Sequence, residues 1–254
     1  MNTFRTQFQT TLFSSLLFLL LLNGCGGSLT NLSDKTPQEL IKDAKEQILA
    51  ENFDEAKTSL NKILEDYPDS PEKVLASLLK AETYYKNGEY EESKFMFKSF
   101  LELYPVHRLA DRASYYLAMS DYRLMDLETR DQTSAQNALE EFDDFIKKYP
   151  KSKYRAQAEE KRKESRQSLA RNQMEIGKFY FRTSAFQSAI TRFQQLMEAY
   201  PNQPFMDEVL FLLGESFYNE QSFEKAKLKY QELIRKFPRS EFVKEARTRL
   251  REIQ

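Results

Sequence analysis

Along most of the chain, apolar residues recur three and four positions apart, and five of these runs end at an aromatic–proline pair. The pairs are Tyr67-Pro68, Tyr104-Pro105, Tyr149-Pro150, Tyr200-Pro201 and Phe237-Pro238. Eight residues before the prolines stand Leu60, Phe97, Phe142, Phe193 and Tyr230. Twelve before them stand the small residues Ala56, Ser93, Ala138, Ala189 and Ala226, and fifteen before them Phe53, Tyr90, Ala135, Phe186 and Phe223. A small residue with a bulky one four later lies on one face of a helix. Proline keeps the residue before it out of the helical region, so each copy predicts a helix with one packed stripe and a defined stop. A second helical run precedes each copy, and links of three or four residues pack such pairs antiparallel. No pair can bury its own apolar face, so the pairs must stack on one another. The expected fold is all-α, a superhelical solenoid of about five helix pairs.

Local signals place the boundaries. Thr36-Pro37-Gln38-Glu39 reads as a capping box with proline at the first helical position, opening a helix that runs to about Ala50. Its partner covers Asn52 to Asp66. Ser70 is expected to cap a helix from about Pro71 to Lys86, which Asn87-Gly88 breaks. The prolines are spaced 37, 45, 51 and 37 residues apart, so the middle of the chain departs from the repeat. In the third copy a helix begins near Leu109, and the polar stretch Met125 to Gln132 is an insertion, either an ordered loop used in binding or a tolerated surface segment. In the fourth copy the extra length goes into one helix from Ser152 to about Thr183, roughly 45 Å long. Its middle, Glu159 to Arg166, reads as charged all round, a solvated face with i,i+4 pairs rather than a nucleic-acid patch. Ser240 to Ile253 reads as a polar closing helix.

Composition narrows the class of function. Charged residues make up 30% of the chain, yet the formal net charge is −1, so no field draws it to nucleic acid. The lone cysteine, Cys25, follows an apolar run from Leu12 to Leu22 and a short start that carries Arg5 and no acid. This is the layout of a secretory signal, and the run is too short for the roughly 20 residues that span a bilayer. Removing residues 1–24 takes Arg5 and no acid, leaving 37 basic against 39 acidic residues, a formal −2. Residues 26–35 read as a flexible tether, and residues 36–254 as the repeat domain.

The chain shows no catalytic constellation. His107 is the single histidine, which excludes multi-histidine metal sites and leaves one candidate base for any Cys-His or Ser-His-Asp arrangement. Its place two residues after a helix-ending proline makes it a turn or capping residue. No glycine-rich phosphate loop is present. Glu140-Glu141 and Asp143-Asp144 read as helix-surface charges at adjacent positions that do not face each other, so a paired-carboxylate mechanism is not expected. The protein is expected to be no enzyme, with no metal and no cofactor.

Two resemblances sharpen this. Leu22-Asn23-Gly24-Cys25 resembles a bacterial lipobox, although Asn23 departs from the usual small residue; the alternative is an ordinary signal peptide with a free cysteine nearby. The lipobox implies a covalent N-acyl and S-diacylglycerol lipid on Cys25, and several acyl chains hold a protein firmly to a membrane. Gly26 in place of aspartate implies the outer membrane of a Gram-negative bacterium. The repeats resemble the tetratricopeptide repeat, whose small helix-A residue falls at Ala44, Ala81, Gly177 and Gly214, and at Ala118 in the third copy once the insertion is allowed. The helix-A aromatic three residues on is Tyr84, Tyr180 or Phe217. The first copy has Gln47 there; the third has Asp121 with Tyr122 beside it, which leaves its register open by one residue.

Lipobox, tether and repeats together resemble the BamD (ComL) family of β-barrel-assembly lipoproteins. Leu103-Tyr104-Pro105-Val106-His107, Thr129-Arg130-Asp131, Tyr149 to Tyr154, and Leu169-Ala170-Arg171 running on to Tyr180-Phe181-Arg182 carry the match; Arg108 departs from it. The resemblance implies a periplasmic scaffold whose C-terminal repeats bind a BamA-like barrel protein with POTRA domains. Its N-terminal repeats would help receive unfolded outer-membrane protein segments, and other assembly lipoproteins would join it. The tetratricopeptide register implies an inner peptide groove lined by Ile41, Lys45 and Ile48, by Leu78, Glu82 and Tyr85, and by Arg112, Tyr115, Met119 and Tyr122. Such a lining suits an extended peptide with bulky side chains and a terminal carboxylate. For the partner, the candidate surface is Arg182, Arg192, Glu215 and Tyr218. The alternative function is a different tetratricopeptide lipoprotein that scaffolds cell-envelope or cell-wall enzymes.

Overall fold

The computed structural model describes residues 34–127 and 132–253; the signal segment, Cys25, most of the tether and residues 128–131 of the insertion lie outside the described residues. Eleven α-helices follow one another there. In order they are α1 Pro37–Leu49, α2 Phe53–Asp66, α3 Glu72–Lys86, α4 Tyr90–Leu103, α5 Ala110–Leu127, α6 Thr133–Lys148, α7 Arg155–Arg182, α8 Phe186–Ala199, α9 Met206–Asn219, α10 Phe223–Lys236 and α11 Val243–Glu252. Each helix packs on the one before and the one after it. The odd-numbered helices also touch from pair to pair, α1 with α3, α3 with α5, α5 with α7 and α7 with α9, whereas no comparable contact joins α2, α4, α6, α8 and α10. The odd-numbered, or A, helices therefore form the inner layer, and the even-numbered, or B, helices the outer one.

The proline register is a packing register. Leu60, Phe97, Phe142, Phe193 and Tyr230 are all fully buried, as are Ala56, Ser93, Ala138, Ala189 and Ala226. Burying each of the large side chains contributes roughly 1.5–3 kcal/mol. The small A-helix residue exists to admit the bulky B-helix one. A Cβ on Gly177 would lie 2.5 Å from the Phe193 ring, and one on Gly214 would lie 2.6 Å from the Tyr230 ring. Gly177 thus sits inside a continuous 28-residue helix without breaking it, because the close approach of α8 requires it.

The A-to-B links repeat as well. Glu51, Gly88, Ser184 and Gln221 adopt positive φ, between 57° and 81°, and each lies 17 residues before its proline. Every one is followed by an N–H that reaches back five residues: Asn52 to Gln47 O (2.9 Å), Glu89 to Tyr84 O (3.0 Å), Ala185 to Tyr180 O (2.9 Å) and Ser222 to Phe217 O (2.9 Å). This is the Schellman closure, which favours glycine at the left-handed position. Three of the four links carry a side chain there, at a cost of roughly 1–2 kcal/mol. Gln221→Gly is therefore expected to raise the stability of the last pair by about 0.5–1 kcal/mol, the relief being partly offset by the freedom glycine adds to the unfolded chain. Urea unfolding followed by circular dichroism checks this, and a lower midpoint would refute the strain.

Several boundaries differ from those expected. The capping box forms, with Thr36 N–H donating to Glu39 Oε2 at 2.8 Å. Ser70 does not cap α3: Pro71 holds the N-cap position, the turn closes through backbone bonds, and Ser70 Oγ is buried without a partner. Met125 to Leu127 belong to α5 rather than to a loop, so the insertion narrows to the few residues before Thr133. Glu159 to Arg166 is not charged all round. Ser165 is fully buried, and Ala158 two turns earlier joins the α5–α6 core.

Candidate functional site

The third copy shows how the register positions polar groups. Ala118 packs with Phe142, so Asp121 occupies the slot of the missing aromatic and is fully buried, while Tyr122 lies on another face. In the second copy Lys57 of α2 sits over the ring of Tyr84, 5.1 Å from its centroid. The residue 37 further on, Lys94, pairs with Asp121 at 2.8 Å, the residue 37 after Tyr84. One lysine position thus lies over an aromatic ring in one copy, where it also pairs with Asp54 and Glu89, and meets a buried carboxylate in the next. Lys94 also faces Glu141 of α6. Burial, and then the charge of Asp121, push the Glu141 carboxyl up to about 8, against the pull of Lys94 and Lys98.

On the inner face, the residue following the small A-helix position joins adjacent pairs. Glu82 is buried against Arg112, with Nε–Oε1 at 2.5 Å and Nη2–Oε2 at 2.6 Å. Burial raises its pKa despite the neighbouring guanidinium. Lys178 pairs with Glu208 at 2.5 Å, 30 residues apart as in Glu82–Arg112 but with the charges exchanged. Glu215 is held by both arms of Arg249, at 2.9 and 3.0 Å, and accepts a 2.5 Å bond from the buried Tyr230 hydroxyl. In the first pair the equivalent residue, Lys45, is exposed and has no ion-pair partner among the described residues.

Of the expected groove residues, Ile41, Ile48, Leu78, Glu82, Tyr115 and Met119 are buried. Tyr115 stacks on Tyr154 of the α6–α7 turn, with centroids 4.6 Å apart and planes 11° off parallel, and burial pushes its phenol up to about 12. Met119 joins the same core. These two pack between pairs as their register equivalents do: Ile41, Leu78 and Phe211 match Tyr115, Glu82 and Glu215 match Met119, and all are buried. Tyr85, Arg112 and Tyr122 are half-buried and remain at the edge. The Tyr85 hydroxyl accepts from Arg123 Nε at 3.4 Å. Tyr122 donates to Glu164, and Lys161 lies over its ring at 4.8 Å. Burial opposes the charge on Glu164, but the bonds from Tyr122 and Lys161 outweigh it, and its pKa is lowered.

The expected partner surface is also rearranged. Arg182 is exposed, and Arg192 is half-buried with a 3.4 Å contact to Gln195. Glu215 is not on the surface at all, for the reasons just given. Tyr218 lies beneath the Arg249 guanidinium, 4.7 Å from its ring centroid. Tyr154, Lys161, Glu164 and Arg249 were not anticipated; each meets a partner 30 or more residues away, a separation that helical periodicity does not report. His107 is a turn residue, its Nδ1 accepting from Leu109 N–H at 3.2 Å. Among the described residues no three His, Cys, Asp or Glu side chains converge, and no helix is long and apolar enough to cross a membrane.

Known proteins bear on this arrangement. A family model described as YfiO, outer membrane lipoprotein, matches residues 33–227. Curated relatives called outer membrane protein assembly factor BamD include one from Xylella fastidiosa, 26% identical over 77% of this chain and 71% of its own length. Those from Rickettsia prowazekii (27%, covering 81% and 83%) and Vibrio cholerae (28%, covering 77% and 85%) are similar to the same extent. Among solved structures the chain is similar to the TPR2AB domain of yeast Sti1, with TM-score 0.45 and 17% identity over 86% of this chain and 83% of that one. With the family model spanning most of the repeats and these relatives sharing the name, the chain belongs to the YfiO/BamD family of outer membrane lipoproteins.

Proposed function

We propose that this protein is a scaffold subunit of β-barrel assembly rather than an enzyme. A lipid on Cys25 holds it to the periplasmic face of the outer membrane, with residues 1–24 removed as signal and the tether leading to the repeats. The C-terminal pairs bind a BamA-like barrel protein through its POTRA domains, and the N-terminal inner face receives unfolded outer-membrane protein segments. The observation that carries this reading, beside family membership, is the continuous inner layer of A helices. At its N-terminal end that layer leaves Lys45 exposed without an ion-pair partner among the described residues and the rings of Tyr85 and Tyr122 half-buried, while Lys178–Glu208 and Arg249–Glu215 brace its C-terminal half. A braced end suits a standing partner, and an end with an exposed cation and partly exposed aromatic rings suits a transient peptide.

Arg182 and Arg192 make no ion pair with an acidic side chain among the described residues, and they test the partner contact. Each, as a rim contact, is worth about 0–1 kcal/mol. Reversing both, Arg182→Glu with Arg192→Glu, is expected to weaken capture of a POTRA-containing barrel protein about tenfold. Capture that survives unchanged in high salt would sink the assignment. Capture of cell-wall enzymes instead would favour the other scaffold reading.

A further inference from the structure

Two clefts outside the inner-face site meet at the Tyr200-Pro201 corner; side-chain amides dominate the first, and the second carries the cations Lys163 and Arg166 beside its amides. The first, about 410 Å³, is formed by Gln132, Gln136 and Asn137 at the start of α6, Asn172 and Gln173 of α7, and Tyr200. The second, about 540 Å³, adds Gln167 of α7 with Asn202 and Gln203 of the α8–α9 turn. No charged residue lines the first cleft, so an ionic ligand would lose its hydration there without a counter-charge. Gln136 and Asn202 are exposed and the other amides half-buried, and those of Gln167, Asn172, Gln173 and Gln203 donate or accept no hydrogen bond among the described residues. Gln136 spends one N–H on Glu140, leaving its oxygen open, and Gln132 Oε1 is buried without a partner.

We infer that this amide-lined cleft is a second polypeptide-binding site, which grips an extended segment by its main chain and is indifferent to its side chains. A neutral amide offers two donors and an acceptor. The ligand that matches a row of such groups is neutral and alternates N–H with C=O at every residue, as an extended main chain does. A sugar fits less well: the aromatic face it would stack on is that of Tyr200, and the Arg166 guanidinium already lies over it at 5.8 Å. The inference deepens the receiving role proposed above and rests on it for the source of the polypeptide. It supplies what a groove of tyrosines and lysine lacks, a hold on segments of any sequence.

The test uses the full chain in detergent and a short fluorescein-labelled extended peptide, measured by anisotropy. A sequence-scrambled peptide and one N-methylated at alternate residues accompany it. Asn172→Leu/Gln173→Leu is expected to weaken the original and scrambled peptides equally, by about tenfold, and N-methylation to do the same to the unaltered protein. Should that variant lose helicity, the single near-isosteric Gln173→Met substitution, which removes the amide's donors and acceptor without adding charge, is expected to weaken binding in the same direction. Unchanged affinity in the amide variants, with loss of binding on Lys45→Glu/Tyr85→Ala, would overturn the inference and leave the receiving role standing. Loss of affinity on scrambling, or displacement of the peptide by an oligosaccharide, would also overturn it. If the unaltered protein binds no peptide, both readings fall.

Discussion

Arg249→Ala is expected to destabilise the last helix pairs by about 3 kcal/mol, the low end for removing one partner of a buried ion pair. The side chain of Glu215 is only 8% exposed, and its charge is tolerated because Arg249 meets both of its oxygens while Tyr230 donates to one. Take the guanidinium away and the carboxylate keeps a single phenol. Arg249 is 29% exposed, so water can enter from that side, which limits the cost. Arg249→Lys keeps the charge but not the fork, and should lose less. The double variant Glu215→Met/Arg249→Met removes the buried charge along with its partner and should recover most of the loss. Urea unfolding of the three variants decides it. An Arg249→Ala protein within 0.5 kcal/mol of the parent would show that the pair adds nothing, on the usual scale for surface substitutions.

The second large effect is one of pH. Glu141 has its carboxyl raised to about 8 by burial and by Asp121, with Lys94 and Lys98 opposing. In the unfolded chain the same group titrates near 4.3. Between these values the folded chain holds a proton that the unfolded chain has released. The contribution to stability is therefore complete below about pH 4 and declines as pH rises, until the folded group too has ionised near pH 8. Glu141→Gln keeps the side-chain shape and cannot ionise. Its melting temperature should match the parent's in acid and exceed it increasingly towards pH 8, by the equivalent of about 1–2 kcal/mol, since water reaches part of the site. Parallel melting curves for the two proteins across this range would refute the raised Glu141 carboxyl.

Glu141 also shows where reading the sequence stops. As one of two adjacent acids on a helix it looked like surface charge, because no periodicity reports that Asp121 waits on the facing helix. Features that recur at fixed spacing from the prolines were legible: the small and bulky stripe, the stops and the small A-helix positions all appear where the spacing put them. The groove was legible only as a set of positions. Whether Tyr115 faced solvent depended on how the next pair packs against its face of α5, and Tyr154 covers it. Glu215 was named for its charge, but its surroundings depend on Arg249, 34 residues later in the closing helix.

Helix α7 has 28 residues and runs from the α5–α6 core, through Ala158, to the α8–α9 core, through Met174. In mechanical terms it is a lever about 42 Å long that both halves of the protein grip. With no break between the two grips, a tilt of about ten degrees around its midpoint would carry each end some 4 Å in opposite senses. A push delivered at Tyr154 would therefore arrive at Arg182 as a displacement rather than dissipate in a joint.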